Sequence, residues 1–235
     1  ISNTDWQGEI SGQGDKVHIR SVPTVAINDY TGSVTYADVT TTDTELLIDQ
    51  AKYFAFNADD ILAGQSDIDM VNQASQDAAE QMKISVDTTV LGAIYSGLSA
   101  GVDDTGAVAS SSNILGYVLD AGQKLDEANV PESGRFLVLA PKHINMLKQS
   151  DLKSVNITGD GTSPLRNGQV GTIDRFTVYS SNNLPTVSGQ KMSYAGTKHG
   201  IAFASQISQV ETVRREATFG DGVRGLNVFG YKIVK

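Results

Sequence analysis

Cysteine is absent from the 235 residues, which excludes a disulfide framework and any thiolate metal site. Histidine occurs three times, at His18, His143 and His199, and these positions show no metal-ligand spacing. No apolar run approaches the ~20 residues that a membrane-crossing helix needs, and no signal-like segment opens the chain. Positive charge is scarce where it would count for a nucleic-acid binder. Residues 1–98 hold 15 acids against 4 bases, a net of −11, and residues 99–235 hold 12 acids against 14 bases, a net of +2. A dedicated nucleic-acid binder would show a basic face. The uneven split instead allows one half of a subunit to sit against the other half of a neighbour, or simply gives two solvated surfaces of different sign.

What remains is an ordinary globular balance, 40% hydrophobic and 19% charged. A chain of this size can bury roughly 70–75% of its unfolded surface without staples. It is expected to form one large domain or two small lobes. The first residue is Ile1 rather than methionine, so an upstream segment is expected to have been removed or to lie outside this chain.

Residues 10–58 read as extended. Val17, Ile19 and Ser21 alternate with Lys16, His18 and Arg20, the period-2 mark of a half-buried strand. Leu46 and Ile48 share one face of a second run, which is expected to continue into Tyr53, Phe54 and Phe56. Between them, residues 23–43 carry few large apolar groups and a turn signal at Asn28-Asp29-Tyr30-Thr31-Gly32. Such a stretch cannot make its own core, and an isolated hairpin is marginal in water. It reads as a two-stranded arm that rests on something else.

A helix follows. Ser66 and Asp69 fit a capping box, and Val71, Ala74, Ala78, Met82, Val86, Val90 and Ala93 recur every three or four residues. That spacing predicts one narrow apolar stripe on a strut of roughly 30 residues, about 45 Å long. Residues 97–112 read as a connector. A second helix is expected from Ser112 or Asn113 through Leu125, ending before Pro131, whose ring cannot continue it. Phe136–Leu139 reads as a short buried strand, and Pro141 stands where a first-turn proline starts the next helix. Residues 150–169 read as a loop. Strands are expected at 176–180, 192–195, 201–204 and 226–234, with a turn at 182–185. The order of elements is that of an α+β chain.

No motif carries convincing chemistry. Gly97-Leu98-Ser99-Ala100-Gly101 fits the nucleophile-elbow pattern, but that pattern needs a strand before it and a helix after it. Here a helix precedes and a polar loop follows. Asp67 and Asp69 sit at a helix start, where carboxylates are stabilising anyway, and Val71 stands where a calcium loop needs an oxygen. Gly159-Asp160-Gly161-Thr162-Ser163 lacks the Lys-Ser/Thr of a phosphate loop,. Asn156-Ile157-Thr158 is a sequon without a secretory route.

Several segments, in order, resemble the major capsid proteins of tailed bacteriophages, the Hong Kong 97 fold family. Gly14-Asp15-Lys16-Val17-His18-Ile19-Arg20 is similar to the start of their extended arm, and Asp29 through Tyr36 to the region of its tip. Leu47 through Phe56, followed by Asp59-Asp60-Ile61, resembles the strand leading into their spine helix. Lys124 through Pro131, then Gly134-Arg135-Phe136, resembles the helix–strand junction of the second lobe. Leu165-Arg166-Asn167-Gly168, Tyr179 through Pro185, Val223-Arg224-Gly225-Leu226 and Gly230 through Val234 complete the likeness. None of these motifs is chemical; their number and order carry the resemblance.

The resemblance implies an α+β chain of the Hong Kong 97 type. An extended β-hairpin loop and a long spine helix with β-sheet would form a peripheral domain, beside a mixed α/β axial domain. Residues 1–9 would be the remnant of an N-terminal arm and 10–58 the extended loop with its flanking strands. Residues 59–111 would be the spine helix and connector, 112–190 the axial domain, and 191–235 the strands completing both domains. Family members usually carry an arm before the extended loop, and only about ten residues precede Gly12 here. The implied function is self-assembly into the icosahedral shell around the double-stranded DNA of a tailed phage. It needs no catalytic, cofactor or metal site. Partners would be further copies in hexamers and pentamers, with portal, scaffold or decoration proteins. DNA would be enclosed without specific binding, no membrane is involved, and the virion would be assembled in the bacterial cytoplasm. Subunit contacts are expected at Val25, Ile27, Asp29, Tyr30, Val34 and Tyr36. The rival readings are the shell of a cellular compartment or gene-transfer particle and, more remotely, a serine hydrolase.

The elbow reading has a direct test. Ser99→Ala should leave stability within about 0.5 kcal/mol, as ordinary loop changes do, and a serine-directed phosphonate should leave Ser99 unlabelled. Stoichiometric labelling, read by mass spectrometry, would overturn this.

Overall fold

The computed structural model describes residues 2–5, 16–20, 27, 29–30, 32, 36, 38, 43–59, 70–97, 109–150, 169–215 and 220–234. The expected cap at Ser66 and Asp69, the residues Ser99 to Gly101, the sequon, the 159–163 loop and the interface candidates Val25 and Val34 lie outside the described residues.

Strands β1 (Lys16–Arg20) and β2 (Asp43–Leu47) form an antiparallel pair in which Val17 faces Leu46 and Ile19 faces Thr44. Strand β3 (Gln50–Asp59) follows after Ile48 and Asp49, but it belongs to another sheet. The expected single run from Leu46 to Phe56 is therefore broken in two. Helix α1 (Met70–Gly97) is 28 residues long, about 42 Å at 1.5 Å per residue. Next come α2 (Ile114–Glu127), β4 (Arg135–Leu139) and α3 (Pro141–Gln149). Strands β5 (Gln169–Ile173) and β6 (Phe176–Ser180) lead into the small hairpin β7 (Thr186–Val187) and β8 (Gln190–Lys191). Strand β9 (Tyr194–Thr197) and one 3-10 turn precede the long strands β10 (Ile201–Arg214) and β11 (Gly220–Ile233). Both long strands run 14 residues, far beyond the four and nine expected at 201–204 and 226–234.

Two sheets organise the chain. The first is mixed, in the order β5-β6-β4-β9, with β4 parallel to β6 and antiparallel to β9. All five residues of β4 are buried because both sheet faces are covered, the usual situation of a strand inside an α/β layer. Leu137 and Leu139 face α2 and α3, meeting Ile114, Val118, Ile144, Leu147, Phe176 and Val178. Phe136 and Val138 point the other way, into a cluster with Leu91, Ile94, Leu184, Tyr194 and Ile201. The end of α1 thus closes the second face of this sheet. Tyr194 Oη donates to Leu91 O at 3.0 Å, and burial, with Tyr95 nearby, pushes its phenol up to about 12.

The second sheet has the order β10-β11-β3, all antiparallel. Along β11, Val223 and Gly225 stand opposite Phe56 and Phe54, and α1 lies against β3 and β11. The predicted stripe Val71, Ala74, Ala78, Met82 and Val86 is half-buried, not sealed. Ser75 and Thr89 share this half-buried surface, and their hydroxyls donate back to Val71 O and Ser85 O, so small polar groups can be accommodated there. At the base of the sheet, Asn3 adds one parallel bridge to β10: its N–H donates to Ile201 O, and Phe203 N–H donates to Asn3 O.

One buried charge fastens the second lobe. Helix α2 ends in a Schellman motif, with Asn129 at φ 55° and Val130 N–H donating to Leu125 O,. Directly behind it, Arg135 is fully buried and pairs with Asp126 at 2.7 Å. Its guanidinium also donates to Pro131 O and Val130 O. Asp126 and Glu132 hold Arg175 at 2.8 Å each. Arg175 sits with Asp174 in a two-residue hairpin turn where both have positive φ, the geometry that matches strand twist. The Arg135 and Arg175 guanidiniums hold the Asp126 carboxyl below its ordinary 3.8. The sign follows: this contribution is complete above that ordinary value and is lost as pH falls through the lowered one. Arg135→Ala should cost about 3 kcal/mol, because two turn carbonyls and Asp126 lose their buried donor. Urea unfolding of the subunit measures it, and a change under 1 kcal/mol would contradict the anchoring role.

Candidate subunit interface

The arm residues that the structure describes touch almost nothing of their own chain. Ile27 is 98% exposed, Tyr36 92% and Tyr30 76%, and Asp29 is exposed beside them. Large apolar side chains exposed singly are ordinary, but three within residues 27–36 are apolar groups that the lone chain leaves in water,. The arm starts from a well-built root. Val17, Ile19 and Leu46 are buried against Ala202 and Ala204 of β10, so the root belongs to the body, whereas Ile27, Tyr30 and Tyr36 remain in water.

A second uncovered surface lies on the sheet face opposite α1. Paired residues share a face in an antiparallel ladder, and Tyr53 pairs with Leu226, which pairs with Gln209. One step along, Ala55 pairs with Arg224, which pairs with Glu211. Together with Gly225 these residues line an open groove of about 480 Å³. Tyr53 is 79% exposed, and Leu226 and Val213 are exposed as well. Arg224 donates twice to Glu211, at 2.7 and 3.0 Å. An exposed pair of this kind contributes only ~0–1 kcal/mol, and it leaves the groove locally neutral. The signal for this face was present in the sequence as Tyr53 alternating with Phe54, but the partners on β10 and β11 were not readable.

The remaining functional candidates are dispersed. His143 is buried on α3 with Nδ1 2.9 Å from Ser193 Oγ, and burial lowers its pKa from 6.5, with Lys142 adding to the shift. His199 lies exposed in the 3-10 turn and His18 exposed on β1. Gly97 closes α1, so a helix does precede the elbow-like segment. Among the described residues no group of His, Asp and Glu could hold a metal ion, and no helix is long and apolar enough to cross a membrane.

The model of a family described as phage capsid protein matches residues 41–234. None of the curated proteins matches the sequence. Among solved structures, one titled Mycobacterium phage Che8 is 27% identical with a TM-score of 0.81, covering 100% of this chain and 86% of that one. A capsid structure of the cyanophage P-SCSP1u is 14% identical with a TM-score of 0.72, covering 95% and 81%. The capsid of Ralstonia phage GP4 is 13% identical with a TM-score of 0.71, covering 99% and 82%. The last two show the fold alone; the family match covers most of the sequence. A chain that matches this model from residue 41 to 234 and sets a long helix on a three-stranded sheet beside a mixed lobe belongs to the phage capsid protein family, and the protein is a major capsid protein that forms a phage shell with the Hong Kong 97 fold.

Proposed function

We propose that the arm is the element through which each copy holds the next, with Ile27, Asp29, Tyr30 and Tyr36, and with them Val25 and Val34, meeting a neighbouring subunit. The observation that carries this is the near-complete exposure of Ile27 and Tyr36 on an arm whose root is firmly packed. Apolar groups left in water gain about 1.5–3 kcal/mol each when a partner covers them. Multiplied around a closed shell, contacts that are individually modest become sufficient.

In this reading residues 10–58 are the extended loop, 59–111 the spine and connector, and 112–190 the axial domain, with 191–235 completing both. Portal, scaffold or decoration proteins join the copies, and assembly takes place in the host cytoplasm. The protein performs no catalysis. Its net charge of −9 suits a wall that encloses DNA without gripping it, since many phosphate contacts would hinder movement of the genome.

Two measurements test this. Replacing residues 24–42 by a short Asn-Gly turn should leave a cooperatively folding subunit and abolish closed shells in electron micrographs. Normal particles, or a chain that cannot fold, would overturn the role of the arm. Separately, the subunit should bind duplex DNA no tighter than the ~10⁻⁴–10⁻⁶ M of non-specific binders at physiological salt; sub-micromolar binding in a filter or anisotropy assay would contradict the passive wall.

A further inference from the structure

The root of the arm lies on a floor of unusually small residues. Ala202 and Ala204 are buried beneath Val17, Ile19 and Leu46, and Gly230 of β11 pairs with Ala204 on the same face. Gly230 is itself buried, and its surroundings are backbone. A Cβ at this position would overlap Leu47 O and come within 2.9 Å of Ile48 Cα. Here the chain leaves β2, crosses over β11 and enters β3 in the other sheet. A backbone cannot step aside as a side chain can, so the separation between arm and sheet is set by the missing Cβ.

We infer that Gly230, with Ala202 and Ala204, is a seat that fixes the angle at which the arm leaves the body, and through that angle the geometry of the shell. Gly230 is a positioning residue. It acts through the crossing of residues 47 and 48, which sets how β1 and β2 lie on the body. A shift at the crossing turns the β1–β2 pair as a unit, because the two strands are locked together in one ladder. The consequence for the shell rests on the arm being an inter-subunit element, whereas the seat itself is a property of one chain.

Gly225 supplies an internal control. It lies on the same strand, five residues away and on the opposite face, and a Cβ there would overlap the ring of Phe54 instead of any backbone. Gly225→Ala therefore strains the body and leaves the crossing alone.

The absence of cysteine makes a spectroscopic test direct. Spin labels on His18→Cys of β1 and Glu80→Cys of α1, both exposed, report the angle between arm root and body in the unassembled subunit. Gly230→Ala should shift or broaden that distance distribution and lower the yield of normal-diameter shells at least tenfold. Gly225→Ala should move the unfolding midpoint but not the distance. The seat is refuted by an unmoved distance in Gly230→Ala, by an equal displacement in Gly225→Ala, or by a Gly230→Ala subunit that does not fold. A moved distance with normal shells refutes the link from angle to shell geometry. Failure of the arm's role would show differently, as normal shells from the 24–42 replacement with the Gly230→Ala displacement still present.

Discussion

Strand β11 is the constraint from which the rest of the molecule hangs. It is paired on both edges, to β10 along nearly its whole length and to β3 from Gly220 to Phe229. Its backbone donors and acceptors are thus satisfied without help from loops, as buried backbone requires. One face receives α1 near Phe54, Phe56 and Val223, and at the strand's end Ile233 meets Gly97 and the cluster around Leu91 and Ile94. The other face carries the arm root at Gly230 and leaves Leu226 and Arg224 uncovered. Helix, arm and open groove are positioned by one strand.

The second lobe is built on different physics. Its central strand β4 is buried on both faces, and its edge is held by a charge that cannot escape to water. Arg135 is buried under the α2 turn while Asp126 and Glu132 remain partly in solvent. A single buried cation with several oxygen partners specifies one arrangement of helix end, turn and hairpin more sharply than it adds stability. The two lobes meet through apolar packing and the Tyr194–Leu91 hydrogen bond.

The residues that fold the chain are distinct from the large apolar residues left exposed on it. Val17, Ile19, Leu46 and the clusters around Leu137 and Phe136 fold the chain. Ile27, Tyr30, Tyr36 and Tyr53 take no part in that core. The fold is shared with structures only 13 or 14% identical at a TM-score above 0.7. Apolar character and volume suffice for a core.

Much of this was legible along the chain because it depends on local chemistry. Pro141 starts α3, Phe176–Ser180 is β6 to the residue, and the alternation at Val17 and Ile19 marks a real strand. Other features belong to tertiary structure. The extension of β10 from Ser205 to Arg214 is mostly polar, with Val210 and Val213 exposed, and only pairing with β11 makes it a strand. Gly220, Gly222 and Gly225 disguise the start of β11 for the same reason. Leu91 and Ile94, the buried residues of α1, fall outside its apolar stripe because the helix changes partner near its end, from the three-stranded sheet to the mixed one. Local periodicity cannot foresee a change of partner. Nor could it foresee that Gly230 must yield to the backbone of residues 47 and 48, a contact between segments more than 180 residues apart that exists only once the chain has folded.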